Sequence, residues 1–296
     1  IILYITIVLL LVLEKRLRKV DLQQNYKLQQ KEMLQYSAPL VPSALSWWVM
    51  SASDRYVIRW MIGSAANGIY SVAYKFPSVL QVIFQMFNNA WTDMALAELG
   101  KGKQSESYTK AIFQQFYKIS FGMVFILIPL TKLVMNIILS PAYKEASIYI
   151  GFLYLGTVFQ GFSSFCSIGY LQGKKTGGAA KTSIYGAIVN LFVDLVLIKY
   201  IGIFAAALST FLGFFIMWIT RMKDIEAFFP IKINMKIFAT YLLVSILIAV
   251  VVIWTNNKID IVLVLLATIF FLIDNRKSIC KIIKILKRRL LIKRNN

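Results

Sequence analysis

Apolar residues come in blocks along this chain, and short polar, basic stretches separate them. A first run, Ile1–Leu13, is followed by a charged segment from Glu14 to Met33. Eight further blocks follow, at about Tyr36–Met61, Gly68–Leu99, Ile119–Leu139, Ala146–Tyr170, Thr182–Ile198, Ile203–Thr220, Ile237–Trp254 and Ile259–Ile273. Most approach the ~20 residues that a helix needs to cross a bilayer. The last is short and contains Asp260. None alternates apolar and polar residues like a strand, and lipid offers an open backbone no partner, so every block predicts a helix. Ile1–Leu13 is too short to span, and its positive charges follow it rather than precede it as in a signal peptide. It reads as the end of a truncated transmembrane helix whose N-terminal part is missing. The expected fold class is an all-α integral membrane protein.

Charge assigns a side to each connection. The 296 residues hold 33 Lys and Arg against 13 Asp and Glu, a net +20, yet only 16% are charged and 58% are hydrophobic. A soluble nucleic-acid binder would be far richer in charge, so the +20 must sit in particular places. Alternate connections collect it. Together with the C-terminal tail, one set holds 26 of the 33 cations, the other only Lys132, Lys144, Lys199 and Lys258. By the positive-inside rule the rich set, including Arg221 and the tail, is cytoplasmic. The chain has no histidine, which excludes imidazole catalysis and the usual zinc sites. Cys166 and Cys280 form no CxxC pair, so neither a disulfide framework nor a metal cluster is expected. No catalytic residue, metal or cofactor is indicated, and the chain does not read as an enzyme.

Three cations, Arg55, Arg59 and Lys75, fall inside predicted spans. At 100° per residue Trp48, Ser51, Arg55 and Arg59 share one face, with Asp54 beside them, placed to neutralise one arginine in part. Intramembrane charge is costly and points to a cavity; planar guanidinium forks suit phosphate. The competing reading is an Arg–Asp lock between helices, or an Arg59 that snorkels to the interface. The next block carries Tyr70, Tyr74, Pro77, Gln81, Gln85, Asn88 and Thr92 on one face. Such groups bind sugar hydroxyls and rings; interhelical hydrogen bonding is the alternative. Lys75 lies off this stripe, and Pro77 offers a flexing point. Asn190 and Asp194, one turn apart, are candidates for ion coupling, against the plainer reading of a carboxylate paired with a lysine or bonded between helices. Ile279–Ile292 mixes Ile and Leu with Lys and Arg and predicts a basic helix on the membrane surface rather than a nucleic-acid arm.

Leu45–Leu80 resembles the seventh and eighth helices of Wzx-type polysaccharide (O-antigen) flippases, of the multidrug/oligosaccharidyl-lipid/polysaccharide (MOP, MATE-like) exporter superfamily. The similarity rests on Asp54–Arg55, Gly63, Gly68–Ile69–Tyr70–Ser71, Ala73 and Lys75. Gln172–Thr176, Asn190, Gly202 and Ala205–Ala207 add a looser similarity. The resemblance implies a bundle of two six-helix lobes with two extra helices. Residues 1–13 would end the missing N-lobe and 14–35 would be a cytoplasmic connection. The C-terminal lobe would be 36–222, the two additional helices 223–275 and the basic tail 276–296. It implies translocation of a polyprenyl-diphosphate-linked oligosaccharide across a bacterial cytoplasmic membrane, with lipids and other polysaccharide-assembly proteins as partners. Arg55, Arg59 and Lys75 would line its cationic cavity, with Asp54, Tyr70, Tyr74, Gln81, Gln85 and Asn88. Asp194 departs from the family pattern, which more often has a neutral residue there. A cation antiporter of the same superfamily would want an acidic cavity. A membrane polymerase or glycosyltransferase would want a large outer loop with acids or histidine. A pure assembly partner would not need the long polar stripe.

Overall fold

A computed structural model describes residues 26–97, 103–227, 229–231, 233–276 and 280. The expected truncated span 1–13, most of the connection 14–35 and the basic tail beyond Arg276, Cys280 apart, lie outside the described residues. The chain divides into two units, residues 1–38 and 39–296. In the first, helix α1 spans Tyr26–Ser37, where Ser37 Oγ donates to the Met33 carbonyl at 2.6 Å.

The described residues of the second unit form helices and short connections, with no strand among them. Its elements are α2 (Leu40–Met61), α3 (Ser64–Ala97), α4 (Lys103–Ile138), a 3-10 helix (Pro141–Ile148), α5 (Ile150–Gln172), α6 (Thr176–Ile201), α7 (Phe204–Ile225), α8 (Met235–Trp254) and α9 (Asn257–Asp274). Ser107–Ile138 of α4, and α6, α7 and α8, are each long and apolar enough to cross a membrane. The 3-10 helix and α5, bent by 50°, make a fifth such stretch if they form one span. Eight spans were expected. α2, α3 and α9 fall short on apolarity because α2 carries Asp54, Arg55 and Arg59, α3 is rich in amides, and α9 has only 18 residues with charge at both ends. The chain is a multi-pass helical membrane protein.

Helix α5 is the axis of this unit. Nearly all its side chains are buried, as an all-round apolar helix requires, and α3, α4, α7 and α8 pack around it. Aromatic rings fill the seams. Trp91 of α3 stacks on Phe165 of α5 with centroids 4.4 Å apart, and Trp218 of α7 stacks on Phe238 of α8 at 4.8 Å. Without a hydrophobic force between helices in lipid, close approach depends on small residues. A Cβ on Gly186 of α6 would lie 2.9 Å from the Gly213 carbonyl of α7, and one on Gly213 would lie 2.8 Å from Asn190 Cβ. α6 and α7 therefore touch backbone to backbone where Asn190 sits. They are joined through Gly202, whose φ of +57° suits glycine.

The α8–α9 hairpin is fastened to α4 at both ends. Lys132 Nζ donates to the carbonyls of Val252 and Thr255 at 2.5 and 2.6 Å and pairs with Asp260 at 3.2 Å. At the opposite end Lys118 pairs with Asp274 at 3.0 Å, and Tyr241 donates to the same carboxylate at 2.6 Å. Between these clamps α4, α8 and α9 border an apolar groove of about 290 Å³.

Candidate functional site

The polar residues gather in three places. The first is a pocket of about 390 Å³ between α2, α3 and α5. Gln81, Gln85 and Asn88 of α3 face Gln160, Ser164 and Ser167 of α5, and Trp47 of α2 supplies an indole wall. Asn88 Nδ2 donates to the Gly161 carbonyl at 3.4 Å, while its Oδ1 is buried without a partner. Gly161 is small of necessity: a Cβ there would meet the Phe84 ring at 2.9 Å. No charged side chain lines the pocket.

The expected stripe on α3 does not face one cavity. Tyr70 and Asn88 are 18 residues apart, about 27 Å along a helix, so the two ends of the stripe meet different neighbours. Tyr70 turns into the protein and Tyr74 lies beneath Arg55; neither lines the pocket.

The second place is an exposed cationic face. Arg55, Arg59 and Lys75 are all exposed, alongside Trp48 and Trp60. The Arg55 guanidinium rests 5.3 Å from the centroid of the Tyr74 ring. None of these three cations lines the amide pocket.

The third is a buried cluster that joins α2, α3, α6 and α7. Asp54 is not arranged as a surface partner of Arg55. It is 2% exposed and accepts from Tyr70 Oη at 2.7 Å, Thr210 Oγ1 at 2.5 Å and Asn190 Nδ2 at 3.3 Å. Asn190 also accepts from Ser53 Oγ at 3.1 Å and donates to Ser209 Oγ at 3.2 Å. One turn on, Asp194 is fully buried, and neither of its carboxylate oxygens has a hydrogen-bond partner among the described residues. A lysine pair or interhelical bond for Asp194 is thus not found there. Carboxylate, hydroxyl and amide oxygens are the donor types that suit a hard cation or a proton, and Asp54, Thr210 and Asn190 bring all three together here. No group of three or more Asp, Glu or Cys gathers among the described residues as a tighter metal site would need. The helical period gives the Asn190–Asp194 spacing, but not Thr210 or Asp54, which arrive from other helices.

Arg221 also departs from expectation. Counted by sequence with the cytoplasmic loop cations, it is 1% exposed inside α7. Its guanidinium donates to the Ser163 carbonyl at 2.7 Å, Ser167 Oγ at 2.5 Å, Ser183 Oγ at 2.9 Å and Thr182 Oγ1 at 3.3 Å. The Trp47 ring lies 5.4 Å away. Sequence position near a helix end suggests solvent; hydroxyls of α5 and α6, the Ser163 carbonyl and the rings of Trp47 and Tyr170 make the interior habitable for it.

Comparison with known proteins points the same way. Residues 2–92 match a family model described as "Polysaccharide biosynthesis protein". That match includes α2 and most of α3, which carry the cationic face and much of the pocket. An uncharacterized membrane protein of Methanocaldococcus jannaschii, MJ1068, is 28% identical over 193 residues, 62% of this chain and 35% of that protein. Among solved structures, the lipid II flippase MurJ in an inward closed conformation superposes with a TM-score of 0.56 at 18% identity, covering 82% of this chain and 53% of MurJ. The chain thus spans about a third and about a half of these two relatives. At that identity the likeness concerns architecture: the described helices have the fold of a MurJ-type helical membrane transporter.

Proposed function

We propose that this chain forms the C-terminal lobe of a flippase that moves a polyprenyl-diphosphate-linked oligosaccharide across the cytoplasmic membrane, and that it is a transporter rather than an enzyme. The observation that carries this reading is the amide-rich pocket with an indole wall, set in a membrane bundle of flippase fold. Glutamine, asparagine and serine exchange hydrogen bonds with sugar hydroxyls one for one, and an indole face packs on a sugar ring. Arg55, Arg59 and Lys75, exposed on the same lobe, supply charge for the diphosphate. An acidic pocket, which a multidrug–cation antiporter would want, is not what lines this space.

The cluster of Asp54, Asn190, Asp194 and Thr210 then serves as the coupling site, taking up a monovalent cation or a proton as the lobe changes conformation. Two carboxylates cannot both stay charged and dry without a compensating positive charge, so occupancy would alter how tightly α2, α6 and α7 hold together. Alternating access between two lobes would carry the head group while the tail stays in lipid.

The test is Arg55→Glu in the intact protein. Surface polysaccharide should be lost while the protein still reaches the membrane at a normal level; undiminished polysaccharide would sink the role given to Arg55. Gln85→Ala with Asn88→Ala probes the pocket in the same assay, with partial loss expected.

A further inference from the structure

The amide pocket has no charged residue on its wall, yet a complete positive charge lies directly behind it. Arg221 is bound to Ser167, a wall residue, at 2.5 Å, and it lies 5.4 Å from the ring of Trp47, the indole wall. The remaining acceptors of its guanidinium are neutral: the Ser163 carbonyl and the hydroxyls of Thr182 and Ser183. No carboxylate forms an ion pair with it among the described residues. Asp224, the next acid along α7, engages Tyr170, whose ring lies 5.8 Å from the guanidinium, rather than Arg221 itself.

Burying an arginine without a counter-ion is costly, and helix packing alone does not require it. An apolar residue of similar volume would fill the space between α5, α6 and α7 at lower cost. What the guanidinium adds is a fixed positive potential, and the amide pocket is where that potential meets a ligand. There it acts across low-dielectric protein rather than water, and salt screens it weakly. Asn88 Oδ1, on the pocket wall, has no hydrogen-bond partner among the described residues and is free to accept from a sugar hydroxyl.

We infer that Arg221 is a specificity-determining positioning residue, which makes the amide pocket select an acidic saccharide, one with a carboxylate on the sugar ring, over its neutral counterpart. This inference rests on the saccharide reading of the pocket. Amides and serines match the hydroxyls and Trp47 the ring. Arg221 holds Ser167 and Trp47 in place from behind and biases the site toward negative charge. The guanidinium does not touch the sugar.

Binding to the intact protein in detergent micelles tests this, by isothermal titration with digalacturonate, the neutral analogue digalactose, and inorganic pyrophosphate. Digalacturonate should bind about tenfold or more tighter than digalactose. The preference should persist in high salt, because a buried charge is screened little, whereas attraction to the exposed Arg55, Arg59 and Lys75 fades. Arg221→Gln should abolish the preference, leaving digalacturonate no tighter than digalactose, while both sugars bind more weakly as Ser167 and Trp47 lose their support. Arg221→Lys, which keeps the charge but not the fork, should retain it, and it serves if Arg221→Gln fails to fold.

Equal binding of the two sugars overturns the inference and leaves the saccharide pocket standing. So does a preference that survives Arg221→Gln or vanishes in salt. Pyrophosphate displacing digalacturonate with equal affinity also overturns it, since the site would then read phosphate rather than a sugar acid. If neither sugar binds, both the inference and the saccharide reading fall.

Discussion

Asp194 has two buried oxygens and no hydrogen-bond partner among the described residues, while Asp54, which accepts from Asn190 one helical turn before Asp194, has three donors. This asymmetry divides their roles. Asp54 ties the helices together, and under the proposed coupling role Asp194 is the group that would take up the cation or proton. Asp194→Asn should therefore preserve membrane insertion and thermal stability but make transport insensitive to an imposed cation or proton gradient; gradient-driven uptake in proteoliposomes measures this. A variant that responds to the gradient like the wild type would remove Asp194 from coupling. Gly213 tests the geometry beneath the cluster. Gly213→Ala puts a methyl 2.8 Å from Asn190 Cβ and should cost about 1–3 kcal/mol as α6 and α7 are forced apart. A lowered melting temperature in micelles would report it.

Among the elements, the α8–α9 hairpin is held by polar clamps more than by its own two helices. Lys132 donates to carbonyls at the end of α8 and pairs with the Asp260 carboxylate in the first turn of α9, joining both to α4. Lys132→Ala strands a fully buried Asp260 and should destabilise the protein by about 3–5 kcal/mol. Lys132→Met combined with Asp260→Leu should recover most of that, because no charge is then left unpaired. A cycle of the single and double variants, read by thermal unfolding, separates the lock from mere packing. No recovery in the double variant would mean that the hairpin is held by the carbonyl contacts rather than by the ion pair.

The two ends of the whole bundle carry different charge. The cations assigned to the cytoplasmic side include Lys174, Lys175, Lys181 and Lys223, and those assigned outside are Lys132, Lys144, Lys199 and Lys258. A single cysteine introduced at Lys144 or Lys258, with Cys166 and Cys280 replaced, should react with an impermeant maleimide in intact cells. One at Lys174 or Lys223 should react only after permeabilisation. The reverse labelling would invert the orientation, and with it the side on which the amide pocket opens under the proposed function. That pocket lies toward the ends of α3 and α5 that neighbour the start of α6, the end these lysines assign to the cytoplasm.

Apolar blocks, their lengths and the cations between them were enough to specify a helical membrane bundle, because lipid leaves the backbone no other solution and loop charge is read locally. The sequence alone also marked Arg55, Arg59, Lys75, Gln81, Gln85, Asn88, Asn190 and Asp194 as polar residues out of place, since period and hydropathy are properties of single helices. Which of them share a site was decided only in three dimensions. Asp54 joined Asn190 rather than Arg55 because the glycine contact of α6 and α7 carries Thr210 and Asn190 to it. The α3 stripe was divided because one long helix passes different neighbours along its length. Arg221, indistinguishable in sequence from a loop cation, became an interior charge because hydroxyls on α5 and α6 happen to face it. Periodicity locates a residue on its own helix, and only packing decides what it faces.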